Sequence, residues 1–440
     1  MASIKGAHGN TISRGPHGER RVEARRGDRR FVSTGHGRGY GERRYSRGGH
    51  EYMRRSYYRG GRYYGYGYRG YYYRGYGYYG YVPPYYYGPA YYGWAYNPWP
   101  SPVVYSWGWG AAPWYTPYNY YFTPYPSYPY AALWLTDYMI AANLQAAAEA
   151  NAESGKVQSA PGYALASAHS SDMTGADSSP VLTPEVKQMI ADDVKAQIAE
   201  DKEAAAAQQS GKSQEATGDQ VPPSLNPNRR VFVVSATIAP TLGDEACSLT
   251  SGDVIKRTED DADANKTVAV DVLASKTDDC AVGSTPRVQI QDLDDMHDEF
   301  RHQLEAGLKS LSENQGKSGI PSGPKATTIP NPDGQVTPDK DVADELKKID
   351  QEADADEQDV QQAASDTAAD TADSGPVTPE VQDVGNGGGQ PATIQIGDTL
   401  AQVVKAMGMP KQIVNLGTSQ MYVYSDLKIT FEHGRVVNVE

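Results

Sequence analysis

The residues with the clearest potential for chemistry are arginines set among glycines and tyrosines. Arg-Gly steps recur at Arg47-Gly48, Arg59-Gly60, Arg69-Gly70 and Arg74-Gly75. An arginine neutralises phosphate, and a tyrosine ring stacks on nucleic-acid bases or on arginine itself. Such segments bind nucleic acid weakly and with strong salt dependence, and the same chemistry serves anionic lipid, polysaccharide or another copy of the segment.

The aromatic content continues beyond the arginines. Residues 40–138 hold 31 of the 34 tyrosines and all 6 tryptophans, whereas residues 76–136 contain no Asp, Glu, Lys or Arg. An uncharged aromatic stretch favours self-association or stacking on glycans over binding of nucleic acid. We expect the interaction side chains to be Arg59, Arg62, Tyr63, Tyr64, Arg69, Tyr71, Tyr72, Trp94, Trp107 and Trp109.

Motifs for catalysis, cofactors and metals are weak. Gly65–Gly70 matches a dinucleotide-binding fingerprint but neither follows a strand nor opens a helix. Asp261–Asn265 begins like a calcium loop, but Lys266 stands where the loop needs glycine, which favours a solvated acidic turn. His297 and His302 are five residues apart on a predicted helix, a spacing that separates the two rings, so we expect solvated side chains. We predict no catalytic, cofactor-binding or metal-binding residues and no enzyme activity.

The chain has two cysteines, Cys247 and Cys280, both within one predicted β module. A disulfide between them would close a loop of about 33 residues and contribute about 3–4 kcal/mol in the chain-entropy model. Two unpaired thiols are the alternative, since a single pair carries little information about a disulfide framework.

Charge is distributed unevenly along the 440 residues. Residues 1–75 hold 18 Lys and Arg against 5 Asp and Glu, whereas residues 137–440 hold 23 basic and 50 acidic side chains. A basic arm of this kind is typical of proteins that meet anionic partners. The arm would equally attract the acidic tail of its own chain.

Composition and hydrophobic periodicity together predict an α+β fold class, with small modules of helix plus antiparallel strands in a largely disordered, low-complexity chain. Gly and Pro are too frequent in the aromatic stretch for helices or central strands, and aliphatic residues are too few for a core. The predicted segments are a disordered basic arm at 1–39, a Tyr/Gly/Pro/Trp-rich low-complexity tract at 40–132, a helix at 133–152, an amphipathic helix at 183–207, a small α+β module at 229–312, an acidic disordered linker at 313–392 and an α+β mini-domain at 393–440.

The last segment has the most regular pattern. It combines Gly397-Asp398-Thr399, a helix through Gln402-Val403, Met407-Gly408-Met409-Pro410, a strand at Tyr422-Val423-Tyr424 and a hairpin at Ile429-Thr430-Phe431-x-x-Gly434-x-Val436. These features resemble the small domain of the SmpA/OmlA (BamE-like) group. The resemblance covers about 47 residues. It implies a non-enzymatic role in the cell envelope, usually as an accessory in outer-membrane assembly, although the lipobox cysteine of that group is absent.

The aromatic tract also resembles tracts of uncharacterised bacterial envelope proteins. We therefore expect a cell-envelope or surface scaffold, in the periplasm or at the surface, whose partners are envelope proteins, polysaccharide or further copies of itself. The alternative is a cytoplasmic RNA-binding or condensate-forming protein that uses the Arg-Gly-Tyr arm, with weak binding of nucleic acid or an anionic surface through residues 14–75. Neither a secretory signal in Met1–Arg30 nor an apolar run long enough to span a membrane is visible.

Overall fold

The computed structural model describes residues 2–6, 8–14, 20–35, 37–59, 61–153, 181–211, 221–242, 245–372, 403, 412–415, 419–423, 428–432 and 435–439. These residues form two compact units. Unit 1 comprises residues 1–42, 57–63 and 339–440, and unit 2 comprises residues 43–56 and 64–338. Each unit is described by itself.

The helices are α1 (Pro89–Tyr96), α2 (Ala131–Glu153), α3 (Pro184–Gln209), α4 (Ile290–Glu313) and α5 (Val342–Ala372), with short 3-10 turns at Thr116–Tyr118 and Pro223–Leu225. The strands of the N-terminal part are β1 (Ala2–Lys5), β2 (Thr11–Arg14), β3 (Arg20–Arg26), β4 (Arg29–Gly35), β5 (Arg38–Arg47), β6 (His50–Arg59), β7 (Arg62–Tyr73), β8 (Tyr76–Val82) and β9 (Tyr85–Tyr87). The remaining strands are β10 (Val231–Val233), β11 (Thr241–Leu242), β12 (Glu245–Ala246), β13 (Val254–Arg257), β14 (Thr267–Ala274), β15 (Arg287–Gln289), β16 (Thr328–Pro330), β17 (Gln412–Asn415), β18 (Ser419–Val423), β19 (Lys428–Glu432) and β20 (Arg435–Val439).

Unit 1 is built on antiparallel strands in the order β20-β19-β18-β17-β1-β2-β3-β4. Helix α5 packs on β3 and β4. Its residues Val342, Leu346, Ile349 and Ala353 follow helical spacing and are buried against four side chains of the sheet, which are Ile12, Val22, Ala24 and Phe31. A small apolar core therefore lies between the basic strands and the acidic helix.

This arrangement differs from two predictions. Residues 1–39 were expected to be disordered, but Thr11–Arg14, Arg20–Arg26 and Arg29–Gly35 are strands. The acidic segment 313–392 was expected to be a linker, but it contains the 31-residue helix α5. Each segment alone has too few apolar residues for a core, so the composition of either one by itself indicates disorder. Together the two segments bury one apolar face and pair their opposite charges.

The C-terminal part of unit 1 contains four antiparallel strands, β17 to β20. Strands β17 to β20 form antiparallel neighbours, with pairs such as Tyr422 with Ile429 and Phe431 with Val436. Val403 is buried with Ile429, Phe431 and Val436. The other residues of the predicted helix, and most of the motif residues of 393–411, lie outside the described residues.

Unit 2 contains a six-stranded sheet in the order β10-β13-β14-β15-β11-β12. Strand β14 alternates buried Val268, Val270 and Val272 with less buried neighbours, so one face of the strand lies in the core. Helix α4 follows β15 and packs on β8, β10 and α2. Cys247 and Cys280 are joined by a disulfide at the edge of this module.

The aromatic tract of unit 2 also differs from the prediction of an extended, mobile chain without a core. Tyr91, Tyr121, Phe122, Tyr128 and Trp134 are at most 1% exposed. Tyrosine rings supply the buried apolar area that Leu and Ile supply elsewhere, and their hydroxyls find acceptors: Tyr91 donates to the Leu308 carbonyl at 2.6 Å and Tyr121 to the Gly252 carbonyl at 2.8 Å. The mixture of helices and antiparallel strands confirms the α+β class for the described residues.

Glycine has a defined role in the tyrosine-rich hairpin of β7 and β8. Tyr73 pairs with Tyr76, which leaves Arg74 and Gly75 as a two-residue turn. Both turn residues have positive φ, 45° and 80°. Two-residue hairpin turns require this backbone conformation, which glycine adopts without strain. None of the helices in the described part of the chain combines the length and apolar character needed to cross a membrane.

Candidate interaction surface

The uncharged part of the aromatic tract forms an irregular loop between α1 and α2. Two backbone contacts fix its path: Trp99 donates to the Pro129 carbonyl at 2.8 Å, and Val103 forms a β-bridge with Tyr128. A 3-10 turn at Thr116–Tyr118 lies within the loop. The start of the loop is thus held against the segment that leads into α2.

Five partly exposed rings of this loop touch one another. We call them the aromatic cluster, and they are Tyr105, Trp107, Trp109, Trp114 and Tyr115. Trp109 is central, with ring centroids 5.3 Å from Trp107, 5.5 Å from Trp114 and 4.9 Å from Tyr115. Tyr105 lies 4.8 Å from Trp107. The intervening Gly108 and Gly110 are exposed and add no side chain to the aromatic cluster.

A rigid layer supports the aromatic cluster from below. Trp107 stacks on Trp134 of α2, with centroids 5.0 Å apart and planes 24° apart. Trp134 is 1% exposed and stacks in turn on Tyr138 at 5.4 Å. The ring positions are therefore set by a helix rather than by the loop alone.

A buried polar chain also holds Trp107. Its indole Nε1 donates to the Tyr128 hydroxyl at 2.7 Å, and that hydroxyl donates to Asp137 Oδ2 at 2.8 Å. Asp137 is fully buried and receives a second hydrogen bond, 2.6 Å long, from the backbone N–H of Tyr125. The other oxygen of Asp137 pairs with Lys187 Nζ of α3 at 3.0 Å.

Lys187 is itself enclosed by aromatic rings. Its ammonium lies 3.7 Å from the centroid of Tyr125 and 5.3 Å from that of Phe122, and it donates to the Thr123 carbonyl at 2.7 Å. Burial raises the pKa of Asp137 and lowers the pKa of Lys187, while their mutual attraction opposes both shifts. A buried ion pair of this kind costs desolvation and is retained only with full hydrogen bonding, which here comes from the loop. The pair thus ties the loop to α2 and α3.

The structure brings some of the ten predicted interaction residues together. Trp107 and Trp109 belong to the aromatic cluster, whereas Trp94 packs between Tyr91 and Trp99, with centroids 5.6 and 5.7 Å away. The indole of Trp94 lies against Gly323, where a Cβ would approach it to 2.7 Å.

The other predicted residues lie on strands. Within unit 2 the Arg69 guanidinium lies 5.6 Å from the Tyr71 ring, and Tyr71 stacks on Tyr78 at 5.3 Å. Tyr64 and Tyr72 are 40% and 63% exposed. Within unit 1 Tyr63 contacts Tyr58 at 4.8 Å. Arg59 and Arg62 are residues of β6 and β7 in that unit, and Arg62 is exposed.

A row of titratable side chains on α4 is covered by protein, where the sequence predicts solvated residues. The tyrosine-rich hairpin covers them: Tyr76 donates to Asp294 at 2.9 Å, the Tyr81 backbone N–H to Asp298 at 2.9 Å, and the Tyr68 hydroxyl lies 3.2 Å from His302 Nε2. Spacings of four residues place these groups on one helix face, which was the available signal. The sequence of the helix alone does not identify the tyrosine-rich hairpin as the element that covers this face.

Burial raises the pKa of two carboxyl groups of this row. The pKa of Asp294 is raised to about 7 by burial, against hydrogen bonds from Ser224 and Tyr76. The pKa of Asp298 is raised strongly for the same reason. His297, also buried, accepts a hydrogen bond from Arg229, and its pKa lies well below the ordinary value because of burial and then the nearby guanidinium. The described part of the chain contains no group of three His, Cys, Asp or Glu side chains arranged for a metal ion.

The acidic turn at Asp261–Asn265 is stabilised by hydrogen bonds between a carboxylate of the turn and nearby backbone N–H groups. Asp263 accepts hydrogen bonds from the backbone N–H groups of Asn265 and Thr267 at 2.9 and 2.8 Å. These local bonds occupy the carboxylate, and they lower its pKa.

Comparisons of the chain with protein-family models, with curated proteins and with solved structures find no match.

Proposed function

We propose that this protein is a non-enzymatic interaction protein of the cell envelope that binds a neutral polysaccharide through the aromatic cluster. The observation that carries the proposal is the geometry around Trp109, whose ring touches Trp107, Trp114 and Tyr115 while all four remain partly exposed. Aromatic rings on a rigid support offer large contact area at low entropic cost.

The chemistry of the loop favours a sugar over a charged ligand. Residues 76–136 contain no ionisable group other than tyrosine, so the loop has no cation for a phosphate and no anion for a basic peptide. The faces of a pyranose ring present C–H groups, which pack against flat aromatic rings, while its hydroxyls stay in water. The Trp107–Tyr128 hydrogen bond and the Trp107–Trp134 stack hold the rings ready before a ligand arrives.

Two features support an envelope location. The disulfide between Cys247 and Cys280 suits an oxidising compartment, because such bonds are rare in the reducing cytosol. The resemblance of residues 393–440 to the SmpA/OmlA group implies the same compartment and a scaffold role. Fractionation of native cells, with mass spectrometry of the mature N-terminus and of the two cysteines, tests this part. Recovery from the cytoplasm with both thiols free would contradict it.

Calorimetric titration with chitohexaose, a soluble neutral chain of β-1,4-linked N-acetylglucosamine, tests the binding part. We expect saturable binding that Trp109→Ala weakens by about tenfold or more, because a central aromatic residue dominates a binding surface of this kind. The matched control is Tyr96→Ala, which removes a 43% exposed ring at the end of α1, outside the aromatic cluster.

The competing outcomes are distinct. Equal weakening by Trp109→Ala and Tyr96→Ala would show that the aromatic cluster is not the site. If the protein ignores chitohexaose and instead binds an RNA oligonucleotide with an affinity that falls steeply with salt, the polysaccharide proposal is wrong. Near-ultraviolet circular dichroism of both variants verifies that the fold is retained.

A further inference from the structure

Unit 1 holds a row of carboxylates on a basic surface. Five carboxyl side chains of α5 are bound there, at Asp350, Glu352, Asp354, Asp356 and Glu357. Their partners are the guanidinium groups of β2 and β3, the Ser33 hydroxyl of β4, and polar groups of the adjoining turns. Helical spacing places Asp350, Asp354 and Glu357 in a line along one side of the buried apolar residues of α5, and Glu352 and Asp356 along the other side.

The basic surface binds the two ends of this row, Asp350 and Glu357, in different ways. Asp350 receives hydrogen bonds from the Ser33 hydroxyl at 2.5 Å and from the backbone N–H of Gly37 at 2.7 Å. Gly37 has a φ of 69°, a conformation that glycine adopts without strain, and the Gly35 N–H donates to the same Ser33 hydroxyl at 3.0 Å. At the other end Arg14 binds Glu357 with two hydrogen bonds, Nε at 3.1 Å and Nη2 at 2.9 Å.

Other residues of the basic surface contact the carboxyl groups between Asp350 and Glu357 in the sequence. Glu352 accepts hydrogen bonds from Arg26 and from Asn10, the latter at 3.2 Å. Arg20 reaches Asp354 at 2.7 Å, and its buried Nε has no acceptor among the residues that the structure describes. Gly6 lies so close to Asp356 that a Cβ there would fall 1.8 Å from a carboxylate oxygen. The surface is therefore shaped for carboxylates that approach the backbone closely.

The helix is anchored at one end only. Its buried apolar residues are Val342, Leu346, Ile349 and Ala353, and none of the described residues from 354 to 360 is a buried apolar side chain. Beyond Ala353 the described contacts with the strands are polar or ionic, and each pair joins an exposed side chain to a more buried one: Arg14 (48% exposed) to Glu357 (13%), and Asp354 (59%) to Arg20 (16%). Ion pairs with an exposed member contribute little net free energy and weaken with salt. This end of α5 can leave the surface while the apolar end stays in place.

We propose that the basic surface of unit 1 is a binding site for an acidic polysaccharide, and that the carboxylates of α5 occupy it as an internal competitor. A polymer of uronic acid presents the same carboxylates in a linear series, so it replaces Asp354 and Glu357 on Arg14 and Arg20 without remodelling the strands. A linear series suits a polymer chain better than a flat lipid surface. The site is independent of the aromatic cluster and uses charge where that cluster uses ring stacking.

The experiment compares two variants of the full chain that lose the same charge. D354N/D356N/E357Q neutralises the competing carboxylates and keeps the apolar anchor. The control D344N/E345Q/D359N neutralises three acidic residues of α5 that form no ion pair with the strands among the described contacts. Binding of oligogalacturonate is measured by calorimetry at low and at high salt.

We expect D354N/D356N/E357Q to bind oligogalacturonate about tenfold more tightly than the control at low salt, with the gain lost at high salt. Adding R14Q/R20Q to the first variant is expected to abolish the gain. Equal affinity of the two acidic variants would overturn the proposal. So would tighter binding of an RNA oligonucleotide or of anionic phospholipid vesicles than of oligogalacturonate, since either ligand would mean a phosphate surface.

A second measurement uses the unmodified protein and does not depend on any variant folding. Hydrogen exchange of the backbone amides at 354–360 is expected to accelerate when oligogalacturonate is added, because the displaced helix end frays. Unchanged or slower exchange in this segment at saturating ligand would contradict displacement. The variant Trp109→Ala, in the other unit, is expected to retain this response, which separates failure of the present proposal from failure of the aromatic cluster.

Discussion

The indole Nε1 of Trp107 donates a hydrogen bond of 2.7 Å to the hydroxyl of Tyr128. Through this bond a partly exposed ring of the aromatic cluster is connected to a fully buried ion pair, because the same hydroxyl donates to Asp137, which pairs with Lys187. Packing alone would leave the indole free to tilt on Trp134. The hydrogen bond gives it one orientation, as expected of a residue that presents a binding face.

Tyr128→Phe tests this connection. The change removes one donor and one acceptor from a buried chain, which leaves the Trp107 indole N–H without its partner and removes one hydrogen bond from Asp137. We expect the free energy of unfolding to fall by about 1–3 kcal/mol, measured with chemical denaturant. Tyr125→Phe is the matched control, because the Tyr125 hydroxyl makes a single exposed bond to the Pro184 carbonyl. Equal losses of unfolding free energy in the two variants would mean that the buried hydrogen-bond chain contributes no more than one ordinary tyrosine hydroxyl.

Breaking the buried ion pair should be more costly. Lys187→Met leaves Asp137 buried without its cation, and we expect a loss of about 3–5 kcal/mol in unfolding free energy. The double variant D137L/K187M removes both charges, and its loss should be clearly smaller than the sum of the two single losses. A double-mutant cycle measures the coupling. Additive losses would contradict the pairing of these two residues.

The buried carboxyl of Asp294 predicts a dependence of stability on pH. Its pKa of about 7 in the folded state exceeds the ordinary Asp value, so between about pH 4 and pH 7 the folded protein binds a proton that the unfolded chain releases. Its contribution to stability is therefore complete at low pH and is lost as pH rises through 7. Asp294→Asn mimics the protonated form, and we expect the difference in unfolding free energy between pH 5 and pH 7 to shrink by about 2 kcal/mol. An unchanged pH profile in this variant would show that the carboxyl is ionised in the folded protein.

The disulfide predicts a redox dependence of the β module. Reduction, or C247A/C280A, reopens the loop of sequence separation 33 and should lower the free energy of unfolding by about 3–4 kcal/mol. Thermal unfolding with and without reductant measures the change, and reductant should have no effect on C247A/C280A. Equal stability of the oxidised and reduced protein would contradict a role of the bond in holding the module.

An element is predictable from the sequence when its own residues show the full apolar period of a helix or a strand. Strand β14 shows Val268, Val270 and Val272 in strict alternation, and α4 carries Leu293, Met296, Leu304 and Leu308 at helical spacing. The C-terminal strands were predictable for the same reason. In each case a local period identifies one buried face without knowledge of its partner.

The rest depends on partners that are distant in sequence. Val22 and Phe31 are too few to indicate a core until Leu346 and Ile349 are placed beside them, more than 300 residues away. Likewise, Tyr91 and Tyr121 look like adhesive side chains until the Leu308 and Gly252 carbonyls accept their hydroxyls. A tyrosine-rich composition suggests surface residues, but a tyrosine ring can be buried when its hydroxyl finds a hydrogen-bond acceptor.

The most direct test of the central claim is saturation-transfer NMR between the protein and chitohexaose. Aromatic protons of the full chain are irradiated, and transfer to the C–H protons of the pyranose faces is recorded for the unmodified protein and for Trp109→Ala. Ring stacking by the aromatic cluster predicts strong transfer to those protons in the unmodified protein and its loss in the variant. Transfer that persists undiminished in Trp109→Ala would contradict binding at the aromatic cluster.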